Sequence, residues 1–108
     1  MTPMPLDQNG RTVDGTYRNM KSGNGTVTTS GTAVQIKNVS TEAKVIDIIN
    51  PTTNGDILVI GDSTVKYSPL KGIPIEPGFT YRLQVTDLSN IWVDAAGNGY
   101  TFSFNWLY

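Results

Sequence analysis

From Tyr100 to Tyr108 every second residue is aromatic: Tyr100, Phe102, Phe104, Trp106 and Tyr108, separated by Thr101, Ser103, Asn105 and Leu107. A period of two is the spacing of an extended strand, which sends successive side chains to opposite faces of a sheet. Five rings on one strand face must be buried or partnered, since each carries roughly 150–250 Å² of surface. The segment therefore predicts a strand with a second layer over its aromatic face. Phe102 and Phe104, which have no polar handle, are assigned to the core. Trp106 and Tyr108 fit either core or contact surface, and Tyr100 and Trp92, with polar tips, fit an edge or an interface.

The rest of the chain agrees with a β-rich reading. At 108 residues it is one domain, able to bury only about two-thirds of its unfolded surface. Charged residues make up 16%, below the usual quarter. Their place is taken by 14 Thr, 9 Asn, 7 Ser, 11 Gly and 6 Pro. Thr suits a pleated surface, while Asn, Gly and Pro suit tight turns. Predicted strands cover 26–29, 32–36, 44–49, 56–60, 64–67, 79–86 and 91–94, followed by the aromatic strand, with Thr- and Val-rich or apolar runs in each. Asn54-Gly55 is the clearest hairpin signal, Gly97-Asn98-Gly99 reads as another hairpin turn, and Pro77-Gly78 predicts a type II turn. Residues 79–86 alternate, with Phe79, Tyr81, Leu83 and Val85 on one face. The runs at 44–49 and 56–60 are apolar on both faces, so each needs a second cover, either loops or a partner. About eight short strands at this spacing give an all-β fold, an antiparallel β-sandwich of jelly-roll-like type.

Residues 1–24 differ in texture. Turn formers interrupt any hydrophobic period, so this stretch is expected to be an extended N-terminal arm, with the sandwich domain at 25–108. A loose terminus is one reading. The other is a docking arm, since Met4, Leu6, Val13, Tyr17 and Met20 supply more apolar anchors than a solvating tail uses.

The function classes are narrowed mainly by two missing residue types. The chain has no His and no Cys, which removes imidazole general bases, catalytic triads, thiolate nucleophiles, disulfides and zinc fingers. No two acids form a recognisable catalytic pair, so the expectation is a non-enzyme with no cofactor and no metal. Asp94 with Asn98 offers too few oxygens for Ca²⁺. Asp47, inside an apolar run, reads as an edge guard against aggregation, the alternative being a pair with Lys44 or Arg82. The 8 basic and 9 acidic residues are scattered, leaving no electrostatic footprint for nucleic acid or for a membrane surface. No apolar run is long enough to span a bilayer, and Met1-Thr2-Pro3-Met4-Pro5 lacks the pattern of a secretion signal, so synthesis in the cytoplasm is expected.

Four stretches carry a resemblance: 25–36 (Gly-Thr-Val-Thr-Thr-Ser-Gly-Thr-Ala-Val-Gln-Ile), 55–61 (Gly-Asp-Ile-Leu-Val-Ile-Gly), Pro77-Gly78, and 87–95 (Asp-Leu-Ser-Asn-Ile-Trp-Val-Asp-Ala). Together they resemble the small β-sandwich virion proteins of tailed bacteriophages, of the capsid decoration and head fibre type. The resemblance implies a decoration (cement) protein of the virion, without catalytic residues. Its partners would be the major capsid protein of a phage head and further copies of itself, a homotrimer being one arrangement. The contacts are expected at Met4, Leu6, Val13, Tyr17, Met20, Trp92, Tyr100, Trp106 and Tyr108. The competing expectations are a tail, baseplate or head-fibre adaptor, and a carbohydrate-binding module that uses Trp92, Tyr100 or Trp106 as a sugar platform.

Overall fold

The computed structural model describes residues 19–108. They form eight strands: β1 (Met20–Val27), β2 (Val34–Gln35), β3 (Val45–Ile49), β4 (Leu58–Gly61), β5 (Ile73–Ile75), β6 (Thr80–Gln84), β7 (Trp92–Ala95) and β8 (Tyr100–Leu107). A 3-10 turn at Leu88–Asn90 is the only helical element among the described residues. The strands make two antiparallel four-stranded sheets, ordered β1-β8-β3-β6 and β2-β7-β4-β5. The pairs β1–β8, β2–β7, β3–β6 and β4–β5 describe one doubled ribbon, bent between β4 and β5 and wound across both sheets. The expected all-β antiparallel sandwich is the fold observed.

The aromatic strand explains where the core lies. β8 is flanked by β1 and β3, and its inward positions bring Phe102, Phe104 and Trp106 against Ile46, Ile48, Leu58, Ile60 and Val93. The Phe104 and Trp106 rings stack at 5.6 Å, and Phe102 and Phe104 meet at 6.1 Å. Trp106 is only 5% exposed, so its expected role at a partner surface gives way to a role in the core.

β1 begins at Met20, and residues 20–24 therefore belong to the sandwich and not to an arm. The reason lies in register. Gly23 pairs with Phe104 and Gly25 with Phe102. A Cβ on either glycine would stand 2.6 or 2.4 Å from the Cζ atom of the opposite ring. The two glycines are gaps filled by Phe rings from β8, a device that lets Gly sit in a strand. Of the strand expected at 26–29 only Thr26 and Val27 are paired, and the one expected at 32–36 shrinks to β2.

Neither expected Gly hairpin forms. β3 and β4 lie in different sheets, as do β7 and β8, so 50–57 and 96–99 are crossovers. A type I′ hairpin needs positive φ at both central residues, and neither Asn54 nor Gly55 has it. Asn54 is buried instead, and its amide donates to Asn50 Oδ1 (2.7 Å) and to the Thr101 carbonyl (2.6 Å). Asn50 donates onward to the carbonyls of Asp56 and Ile75. Buried amides are tolerated when satisfied in this way, and these two tie β8 of one sheet to β5 of the other. The Pro77-Gly78 turn does form: Gly78 has φ +84° and the Phe79 amide donates to the Glu76 carbonyl.

The second cover over β4 is a loop. Val59 points away from the core yet is fully buried, because residues 62–72 fold over it. The strand expected at 64–67 is part of this loop and makes a single bridge, Lys66 to Lys71. Gly72 sits so close that a Cβ would meet Val59 Cγ1 at 2.8 Å. Asp94, opposite Val59 and also fully buried, fixes the cover by accepting from the amides of Gly31 (2.8 Å) and Tyr67 (2.7 Å).

Candidate functional site

Three surface regions merit description, and the first is the corner where β1 begins. Asn19, the first described residue, and Tyr108 exchange backbone hydrogen bonds of 3.3 and 3.0 Å. Met20 is 65% exposed there and forms a short apolar row with Leu107 and Val45, its neighbours in register on the outer face. Behind the row the Lys21 ammonium lies 5.6 Å above the Tyr108 ring, and Lys37 lies 5.3 Å above Trp106. A cleft of about 310 Å³ opens beside Lys21, lined by Lys21, Ser40, Thr41, Glu42, Trp106 and Tyr108.

The second region is the outer face of the β1-β8-β3-β6 sheet beyond that row, where polar side chains pair across strands. Ser22 donates to Asn105 at 2.6 Å, and Arg82 makes a two-pronged contact with Asp47 at 2.7 and 2.9 Å. Asp47 is on β3, between β8 and β6, and so is no edge guard. It sits directly opposite Arg82 in register, and the guanidinium holds its carboxyl below the ordinary range.

The third region is the side of the sandwich where both sheets end, at β5 and β6. Phe79 is 64% and Tyr81 37% exposed, with Leu70 and Ile73 exposed on the β5 side. Leu83 and Val85, on the same alternation, pack against the core. The spacing that put all four on one face holds, but β6 is an edge strand, a property set by sheet order and unmarked in its own residues.

The expected contact residues are thus divided. Met20 and Tyr108 share the first corner, Trp106 is core, and Tyr100 packs half-buried against the core. Trp92 is half-buried on β7, paired with Gln35 and Gly61 on the outward alternation of the other sheet. Trp92, Tyr100 and Trp106 therefore form no common sugar platform. Met4, Leu6, Val13 and Tyr17 lie outside the described residues.

The aspartate carboxyls act as braces. Asp87 accepts from the Ser40 hydroxyl (2.6 Å), the Thr41 amide (2.9 Å), and the Ser89 amide and hydroxyl (2.9 and 2.8 Å). These donors, the Ser40 hydroxyl first, hold it far below the usual carboxylate range. Asp62 is lowered in the same way by the Thr64 hydroxyl and amide. Asp56 caps the Ile57 amide. With Asp47 and Asp94, every aspartate among the described residues is engaged in holding a loop or a strand pair. Among those residues no three acids gather as a metal-binding group. No family model matches the sequence, and no curated protein matches it.

Proposed function

We propose that this chain is a structural protein of a tailed-phage virion, a decoration protein that clamps the head shell. The observation that carries this reading is the use of the carboxyls. Catalysis by a chain without His or Cys would fall to Asp, Glu or Lys. Yet each described Asp is bonded to backbone or side-chain donors that brace the fold. We read the doubled, wound ribbon as a jelly roll, an architecture shared by viral capsid and lectin domains. The corner at Met20 supports a docking role for the preceding segment. Asn19, which follows residues 1–18 in sequence, stands there beside an apolar row, and residues 1–18 carry Met4, Leu6, Val13 and Tyr17. An arm and a sandwich face that engage several shell subunits at once gain from effective concentration. The partner in this reading is the major capsid protein, the protein acts without a cofactor, and it self-associates on the particle.

The test is quantitative mass spectrometry of purified particles, giving copies of this chain per copy of the main shell protein. A simple ratio is expected. A handful of copies would assign the chain to a tail, baseplate or fibre adaptor, and absence from particles would end the virion reading. A variant lacking residues 1–18 should keep its sandwich and lose attachment. The truncation must stop before Asn19, because residues 20–24 are paired with β8.

A further inference from the structure

We propose that Asn54 is a deamidation site that the native fold closes and unfolding opens, and that its conversion bars the chain from refolding. Of nine Asn in the chain, four precede Gly: Asn9, Asn24, Asn54 and Asn98. Asn9 lies outside the described residues. Glycine leaves its amide nitrogen open to close approach, because it carries no Cβ. At such a step the Gly nitrogen gives up its proton and attacks the Asn Cγ. A C–N bond forms, the Cγ–Nδ2 bond breaks, and the amino group takes up a proton to leave as ammonia. Water then opens the resulting succinimide at either carbonyl, to aspartate or to isoaspartate. The attack needs an Asn side chain free to turn toward the following nitrogen.

The fold denies that freedom at the three described steps, differently at each. β1 holds Asn24 and Gly25 extended, paired with Ser103 and Phe102. Asn98 Oδ1 accepts from the Ser30 amide at 2.7 Å, while the Gly99 amide donates to the Val27 and Thr28 carbonyls. Asn54 is buried and uses both ends of its amide. Its Nδ2 donates to Asn50 Oδ1 and to the Thr101 carbonyl, and its Oδ1 accepts from the Thr101 amide at 3.2 Å. The products differ too. Aspartate at 98 keeps the oxygen that accepts from Ser30. Aspartate at 54 sets a buried carboxylate against two oxygens that had each received a donor, and such burial is costly. Asn50 has no amide to lend, since its Nδ2 already donates to the carbonyls of Asp56 and Ile75. Isoaspartate adds a methylene to the main chain inside the same crossover. Each unfolding event therefore exposes Asn54 to attack, and a converted chain leaves the folded pool, which makes unfolding irreversible. This inference stands apart from the virion reading and survives its failure.

The test holds the full chain at mildly alkaline pH, once folded and once in guanidinium chloride, and follows each Asn-Gly peptide by mass spectrometry. Asn54 should gain the mass of an amide-to-acid exchange in denaturant and stay intact in the folded sample. After dilution from denaturant, size-exclusion chromatography should leave the converted 54 peptide out of the folded fraction and admit the peptide with aspartate at 98. Gly55→Ala, whose Cβ would meet only the Tyr100 hydroxyl at 3.6 Å, hinders the attack and should preserve the refolding yield that wild type loses over the same incubation. Asn98→Asp should melt with wild type, and Asn54→Asp should melt well below it or yield no folded protein. Conversion of Asn54 in the folded sample at the denatured rate overturns the proposal. So does a full share of converted 54 peptide in the folded fraction, a Gly55→Ala chain that loses refolding as fast as wild type, or an Asn54→Asp chain as stable as Asn98→Asp.

Discussion

At Gly25 a methyl group would stand 2.4 Å from Cζ of Phe102, closer than any packed carbon pair tolerates. Both sides of that contact are fixed, the ring by the core around it and the glycine by its register with β8. Gly25→Ala is therefore an overpacking change and should cost about 1–3 kcal/mol. For a chain of this size, each kcal/mol lowers the melting temperature by roughly 4–8 °C. Gly55→Ala is the matched control. Its nearest neighbour is the Tyr100 hydroxyl at 3.6 Å and its φ is not positive. It should be neutral or stabilising by up to about 1 kcal/mol through the unfolded chain. Thermal denaturation of the two variants decides it: equal effects, or a gain at Gly25, would mean that the rings do not need the gap. In sequence, Gly23 looks like a turn former in the arm and Gly25 like the first residue of the sandwich. Their partners are nearly eighty positions away, and no local pattern encodes that register.

The elements divide along the same line. β3, β4, β7 and β8 are legible because hydrophobic run or alternation is a local property, and the Phe79–Val85 alternation located β6. The connections are not legible, since Asn54-Gly55 carries the hairpin dipeptide while its neighbours bury the Asn amide between two sheets. The need for a second cover on β4 was visible, but not that 62–72 would supply it. The candidate surfaces follow suit: the aromatic stripe was readable as mainly core, whereas the exposure of Phe79 and Tyr81 depends on where β6 falls in its sheet. The cover itself is testable through Asp94, whose carboxyl accepts from Gly31 and Tyr67 and so pins two loops across β7. Asp94→Ala leaves both amides without that acceptor, at about 1–3 kcal/mol of lost stability. Limited proteolysis should show cleavage within 62–72 accelerating more than elsewhere. Uniform acceleration over the chain would mean that the loop is held by its packing on Val59 alone.

For the molecule as a whole, the winding brings distant segments together at joints closed by carboxyls, and this fixes how stability depends on pH. Asp87 joins 40–41 to the 3-10 turn, and Asp47 joins β3 to β6. Both carboxyls are held below the ordinary value of 3.8, chiefly by hydrogen bonds, from Ser40 to Asp87 and from Arg82 to Asp47. A group whose folded value is depressed contributes stability that is complete above its unfolded value. That stability is lost as pH falls through the folded one. With no His or Cys in the chain, no side chain has an ordinary titration between about pH 5 and 8. The melting temperature should therefore be flat across that range and fall below about pH 4, where the unfolded carboxyls take up protons first. Asp87→Asn should melt lower than wild type at pH 7, and the gap should close as pH drops toward 2. The closing gap is the informative outcome: a neutral Asn is near in shape but loses the charge and turns one of the two accepting oxygens into an NH2 donor, so only the charge-dependent part of the gap closes with pH. A gap that stays constant with pH would assign the joint to acceptor geometry and packing, not to charge, and remove the acid sensitivity from Asp87.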